Sequence, residues 1–279
     1  MSSDHSIVVR PVTANIGAEI RGVDLREPLD DTTYGALRGA LEAHQVLFFR
    51  EQDISPAQHL AFAERFGQIS VAPFGPKHPD FPEITVLDQV QPKGEGADNW
   101  HTDNTFMPAP PFGSILRCEL LPELGGDTCF ASGTAAYDAL SPAMQEFLAD
   151  KRAVHDISRM LKKAITIGAE TAAFEKMAAV WPPHEHPVVT TNPNSGRKCL
   201  YVNGNWTSRI VGLTERENDA LLPMLIDHIR NPDFQCRLRW EPGTMAFWDN
   251  RWVQHFAVAD YGGQRRVMQR VTISGEPPR

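Results

Sequence analysis

The chain has 279 residues, 42% hydrophobic and 22% charged, enough to bury a sizeable core without disulfides or a structural metal. Its 27 basic residues stand against 35 acidic ones, a formal charge of −8 with no Lys/Arg cluster, which argues against nucleic-acid binding. Apolar runs no longer than Val46-Leu47-Phe48-Phe49 argue against a membrane span, and the opening Met1-Ser2-Ser3-Asp4-His5 lacks a secretory pattern, so a cytoplasmic protein is expected.

Runs rich in Val, Ile, Phe, Trp and Thr, bounded by Gly, Pro, Asn and Asp, predict strands over residues 7–10 and 18–20. Asp30-Asp31 then open an amphipathic helix through Leu37, Leu41 and His44, and a strand comes next at 46–49. Ser55-Pro56 supplies an N-cap and a first-turn proline to a second helix through Leu60, Phe62, Ala63 and Phe66, stopped by Gly67. Strands are predicted at 84–87, 114–119 and 128–131, and Ser141-Pro142 repeats the helix start before Met144 and Phe147. After strands at 188–191 and 200–202, Thr214 with Glu217 forms a capping box ahead of Leu221, Leu222, Leu225 and Ile229. Strands at 237–240, 244–248, 253–258 and 266–273 close the chain. Strand and helix do not alternate regularly, so the expected fold is mostly β with flanking helices, an antiparallel sandwich or jelly roll. The proline-punctuated stretches 71–82, 91–98, 107–112 and 181–187 are too short for linkers, and residues 1–279 are read as a single domain.

Cys118, Cys129, Cys199 and Cys236 form no C-x-x-C pair and are expected as free thiols. Glycine-rich phosphate loops and a G-x-S-x-G nucleophile elbow are absent. On an extended segment, His101 and Asp103 point to one face and can bind one metal ion together. Alone, H-x-D is more often a surface hydrogen-bonded pair. His255 comes after Trp248-Asp249-Asn250-Arg251 in an aromatic run; alone it is more often a core histidine. Together the three can supply a facial triad of two histidines and one carboxylate, which leaves open positions on Fe(II). On the strand 266–273, period two puts Arg266, Met268, Arg270 and Thr272 on one face. The other face, Arg265, Val267, Gln269, Val271 and Ile273, is mainly apolar and should pack on the core. The two arginines, ~13 Å apart at the usual strand rise, read either as a site for two anions or as solvated groups on an exposed edge.

Residues 100–106 (WHTDNTF), 125–128 (GGDT) and 248–273 (WDNRWVQHFAVADYGGQRRVMQRVTI), with 16–25 and 46–50, resemble the Fe(II)/2-oxoglutarate dioxygenases of the taurine dioxygenase family. The resemblance runs almost end to end and implies a double-stranded β-helix, or jelly roll, around a mononuclear iron. It assigns His101, Asp103 and His255 as metal ligands, Arg266 and Thr128 to the distal carboxylate of 2-oxoglutarate, and Arg270 to the substrate anion. The implied reaction consumes O2, converts 2-oxoglutarate to succinate and CO2, and hydroxylates a C–H bond of a small organic anion. Homo-oligomers, dimers or tetramers, are frequent in that family and are expected here.

The substrate loops depart from a taurine enzyme. Ala72 and Gly75 stand where a histidine and a tyrosine are expected, Ala97 replaces an asparagine, and Leu161 a phenylalanine, while the aromatic substrate position is kept as Trp206. A substrate larger and less polar than taurine is therefore expected: an alkylsulfonate first, with alkyl sulfate esters and aryloxyalkanoates as alternatives. A non-catalytic metal-binding jelly roll is the remaining reading, opposed by the intact Arg266 and Thr128; zinc hydrolysis lacks an H-E-x-x-H base. His184-Glu185-His186, bracketed by Pro183 and Pro187, is expected as a solvated loop, and His155 as a strand residue near the pocket. Phe247 and Trp248 are expected to pack in the barrel.

Overall fold

The computed structural model describes residues 7–73, 75–90, 99–166, 168 and 171–279; the predicted stretch 91–98, with Ala97, lies outside these. Its strands begin with β1 (Val8–Pro11), β2 (Ala18–Arg21), β3 (Val46–Phe49), β4 (Ile69–Ser70) and β5 (Thr85–Gln89). They continue with β6 (Gly113–Leu120), β7 (Thr128–Ser132), β8 (Arg152–His155), β9 (His184–Pro187), β10 (Val189–Thr191) and β11 (Lys198–Leu200). The last are β12 (Thr207–Ile210), β13 (Gln235–Leu238), β14 (Met245–Asp249), β15 (Val253–Ala257) and β16 (Arg266–Ile273). The helices are α1 (Asp31–His44), α2 (Pro56–Glu64), α3 (Gly133–Asp138), α4 (Pro142–Leu148), α5 (Ser158–Thr166), α6 (Ala172–Val180) and α7 (Glu215–His228).

A large sheet runs β1-β2-β3-β14-β6-β16-β4, with β5 also on β16; its pairs are antiparallel except β2 on β3. A second sheet, β13-β7-β15, shares an apolar core with it: Val46, Phe48, Leu116, Ala246, Trp248 and Met268 meet Phe130, Cys236, Leu238 and Val253. Alternate residues of the same strands, Leu47, Phe49, Ile115, Phe247, Val271 and Ile273, face the other way onto Leu37, Leu41, Phe62 and Ala63 of α1 and α2. The large sheet is therefore covered on both faces, which is why its central strands read as continuous apolar runs. The second sheet's outer face, through Ala131, packs under α3, α4 and α7.

The helix signals act as expected. Asp30 caps α1 through Thr33 N, and Ser55 with Gln58 and Thr214 with Glu217 form reciprocal capping boxes on α2 and α7. Strand β16 spans the predicted residues, but both of its faces are buried: Val271 and Ile273 lie under the helices, and the arginine face turns inward between the sheets. It is not an exposed edge.

One expectation fails. The HEH segment is strand β9, paired antiparallel to β8 with His186 opposite Ala153, and His186 is buried. With β12 these strands form a small third sheet, β12-β8-β9. A stretch without β-branched residues becomes a strand because β8 offers it a ladder. Phe247 and Trp248 do pack in the interior, on opposite faces of the large sheet. The four cysteines are free. No described helix is long and apolar enough to cross a membrane.

Candidate metal centre and its anion sites

His101 and His255 form an isolated antiparallel bridge and exchange both backbone bonds, His101 N to His255 O at 3.1 Å and His255 N to His101 O at 2.8 Å. Directly opposed residues present their side chains on one face, and the two ring centroids are 4.2 Å apart. Asp103, two residues on, returns to the same side. Its Oδ1 lies 3.8 Å from Nε2 of each imidazole, and one donor atom from each of the three residues falls within 4.8 Å of the others.

The supporting groups orient these donors. His101 Nδ1 lies 2.7 Å from the carbonyl of Asn99, which can only accept, so that nitrogen carries the proton and Nε2 keeps its lone pair for the centre. Ser114 Oγ donates to Asp103 Oδ2 at 3.0 Å. The Asn250 side chain accepts from Asp103 N at 2.9 Å and donates to Asp103 O at 3.1 Å. Burial holds both histidines below their usual range, His255 at about 3, so the imidazoles are neutral as ligation requires. Burial alone would raise the Asp103 carboxyl, but the Arg270 charge and the Ser114 hydrogen bond hold it well below its usual range and keep the group ionised.

Arg270 Nη1 lies 3.1 Å from Asp103 Oδ1, and its Nε is buried without a hydrogen-bond partner among the described residues. Arg266, four residues back on the same face, is only 3% exposed, and no described residue bonds its Nε or Nη2. Its guanidinium carbon lies 5.8 Å from the centroid of Trp240, whose indole N–H donates to Thr128 Oγ1 at 3.0 Å. A buried, unpaired guanidinium is costly unless an anion completes it. Gly125 and Gly126, both at positive φ, let the chain pass this group: a Cβ on Gly126 would stand 3.0 Å from Arg266 Cδ. The structure thus gathers His101, Asp103, His255 and Arg270 at one point, and Thr128 and Arg266 around Trp240.

Trp206 is buried, donates its indole N–H to Thr102 O at 3.0 Å, and packs against Phe106 with centroids 4.8 Å apart. Ala72 is buried and Leu161 half-buried. Sequence reasoning missed Ser114, Asn250 and Trp240. It also missed Lys77, which donates to Ala72 O at 2.8 Å and is held below the usual range by burial and then by Arg270. Asn250 and Trp240 meet their partners 147 and 112 positions away, and Ser114 and Lys77 bond across loops, so none of the four follows a strand or helix period.

A profile described as "Taurine catabolism dioxygenase TauD, TfdA family" matches residues 9–272. The chain is 39% identical over 276 residues to an alpha-ketoglutarate-dependent sulfate ester dioxygenase of Pseudomonas putida, covering 97% of this chain and 90% of that one. It is 36% identical over 281 residues to an alkylsulfatase of Acinetobacter baylyi, covering 98% and 86%. A solved taurine dioxygenase from Burkholderia xenovorans superposes with a TM-score of 0.84 at 36% identity, covering 98% and 91%.

Proposed function

Because the chain belongs to the taurine catabolism dioxygenase TauD, TfdA family, we propose that it binds a metal ion through His101, Asp103 and His255 and holds two different anions through Arg266 and Arg270. It is an alpha-ketoglutarate-dependent dioxygenase acting on a small organic anion. The observation that carries the assignment of parts is Arg266: a cation 3% exposed, two of whose donor nitrogens have no partner among the described residues, near the Trp240 ring that bonds Thr128. The distal carboxylate of 2-oxoglutarate supplies what that group lacks.

Two neutral imidazoles and one carboxylate suit a non-haem Fe(II) ion and leave part of its coordination sphere to other ligands. When bound, iron with 2-oxoglutarate and O2 supplies the oxidising power for C–H hydroxylation, with succinate and CO2 formed from the co-substrate. The chain's own part is to bind, orient and exclude water. Arg266 offers Nε and Nη2 to the 2-oxoglutarate carboxylate, and Thr128, already accepting from Trp240, donates its hydroxyl proton to the same group. Arg270 keeps Asp103 ionised and offers its unpartnered Nε to the substrate head group. Trp206 and Phe106 form an apolar wall beside Thr102, positioned to hold the C–H bond near the metal in a dry site.

The small, apolar Ala72 and half-buried Leu161 favour a substrate with more hydrocarbon than taurine. An alkyl sulfate ester fits best, and two relatives carry sulfate-ester names. Hydroxylation of the carbon bearing the sulfate would give a hydroxyalkyl sulfate that collapses to an aldehyde and free sulfate. The double-stranded β-helix reading is supported by the facing sheets that share one core, and the single domain by the span of that core from Ile16 to Met268. The test is succinate formation with Fe(II), ascorbate and 2-oxoglutarate, comparing alkyl sulfates, alkylsulfonates, aryloxyacetates and taurine. Strongest stimulation by medium-chain alkyl sulfates, with stoichiometric sulfate release, is expected; taurine leading at low concentration would overturn the substrate reading.

A further inference from the structure

Three histidines, His155, His184 and His186, cluster on β8 and β9, away from the triad. The rings of His155 and His186 are 5.1 Å apart, and those of His184 and His186 4.9 Å. Their hydrogen bonds show that this is not a second metal centre. His186 Nε2 lies 2.9 Å from Thr105 O and 3.0 Å from Met107 O. Carbonyls only accept, so Nε2 carries the proton and shares it between them. His155 Nδ1 lies 2.8 Å from Thr105 Oγ1, to which Asn203 Nδ2 already donates at 3.0 Å. With one proton and a second lone pair left, the hydroxyl pairs with His155 Nδ1 in either tautomer, and His155 Nε2 faces Thr207 Oγ1 at 3.5 Å. His155 also stacks on Tyr201, with centroids 5.8 Å apart and planes 27° apart.

The bonds from His186, from His155 Nδ1 and from Asn203 converge on residues 105–107, the turn immediately after Asp103. The turn lies in no helix or strand, and Asn104 sits at φ 51, a left-handed conformation that asparagine adopts more readily than other non-glycine residues. Asn250 fixes the Asp103 backbone from the side of β14 and β15. The small sheet β12-β8-β9 and its connecting loops hold Thr105 and Met107 on the far side of Asp103, through His155, His186 and Asn203. Trp206 holds Thr102 O on the near side. Burial keeps both imidazoles neutral, so each offers a directional acceptor or donor without adding charge beside the centre.

We propose that His155 and His186 are positioning residues for Asp103: acting through Thr105 and Met107, they clamp the turn that aims the ligand carboxylate. The inference rests on the reading of His101, Asp103 and His255 as metal ligands. The small third sheet is then part of the metal centre although it supplies no ligand.

The test is Co(II) titration of the metal-free protein, read by affinity and by the visible Co(II) bands, with folding checked by thermal melting. H155L and H186L should weaken Co(II) binding by about tenfold and shift the bands, as loss of outer hydrogen-bond partners does elsewhere. H155N, which restores a hydrogen-bonding amide near the Nδ1 position, and H186Q, which restores an N–H near Nε2, should recover most of the affinity. H184Q should behave as the parent, since His184 makes no hydrogen bond to this turn among the described residues. If H155L does not fold, the isosteric T105V reads the loss of the His155 bond, and H186Q against H186L reads the other arm. Folded H155L, H186L or T105V proteins with parental affinity and unchanged bands overturn the proposal. If the parent itself binds no Co(II), or H101A binds it equally well, the ligand reading falls, and the inference with it.

Discussion

Arg266 and Arg270 lie four residues apart on one strand face, yet their surroundings differ in kind. Arg270 leans on Asp103 at 3.1 Å, whereas Arg266 has an aromatic ring and a hydroxyl nearby but no carboxylate partner among the described residues. Arg266→Ala should therefore lower kcat/KM for 2-oxoglutarate by about 100-fold, the loss expected from roughly 3 kcal/mol of charge-assisted hydrogen bonds. Arg270→Ala should chiefly raise KM for the organic anion. Initial rates with each substrate varied in turn check the division; equal effects of both changes on both ligands would refute it. The three candidate metal ligands and the two arginines were legible as a set because they fall into short spacings and into stretches that resemble a known family. Their supports were not: Thr128 meets Trp240 112 positions away, and Asp103 meets Asn250 147 positions away. A buried polar residue paired across the fold leaves no periodic trace.

Elements with strong local signals were readable, and those defined by a neighbour were not. Helices α1, α2, α4 and α7 begin at their predicted caps, since an N-cap side chain bonds within three residues. Thr214→Ala should cost about 1 kcal/mol in urea unfolding and leave KM values unchanged, because α7 lies on the outer face of the second sheet. Strand β9 and helices α5 and α6 escaped reading; β9 exists through its ladder to β8, and α5 through burying Met160 and Ala164, the former in the cluster around Phe106 and Trp206. The GGDT segment shows the opposite case, in which sequence marks a constraint that only geometry explains. Gly126 sits at φ 71 with Arg266 Cδ 3.0 Å from where a Cβ would stand. Gly126→Ala should therefore push on Arg266 and raise KM for 2-oxoglutarate while sparing the organic substrate, as paired titrations of the two would show.

At the scale of the whole molecule, packing the sheets against helices and one another buries several histidines. Burial pushes His59 down to about 3, His186 to about 4, and His155 well below the usual range. In the unfolded chain each titrates near ~6.5. Below that value the unfolded chain binds more protons than the folded one, so stability is greatest above about pH 6.5 and falls progressively as the pH drops toward ~4. At pH 5 the loss is about 2 kcal/mol for each histidine kept neutral. Urea midpoints of the metal-free protein should be clearly lower at pH 5.0 than at pH 7.5; equal midpoints would mean the histidines protonate without cost.

The bridge between His101 and His255 also has a temporal meaning. The two histidines are adjacent through their backbones yet 154 positions apart along the chain. Loop-closure entropy delays such distant contacts until most of the chain is available. During synthesis, His101 and Asp103 emerge long before the strand that completes their centre. A nascent chain thus presents two of the three donors without the third and without the enclosing sheets. A metal ion held by the proposed triad would therefore be captured only after the strand carrying His255 has joined the fold, so topology would make its binding a late event.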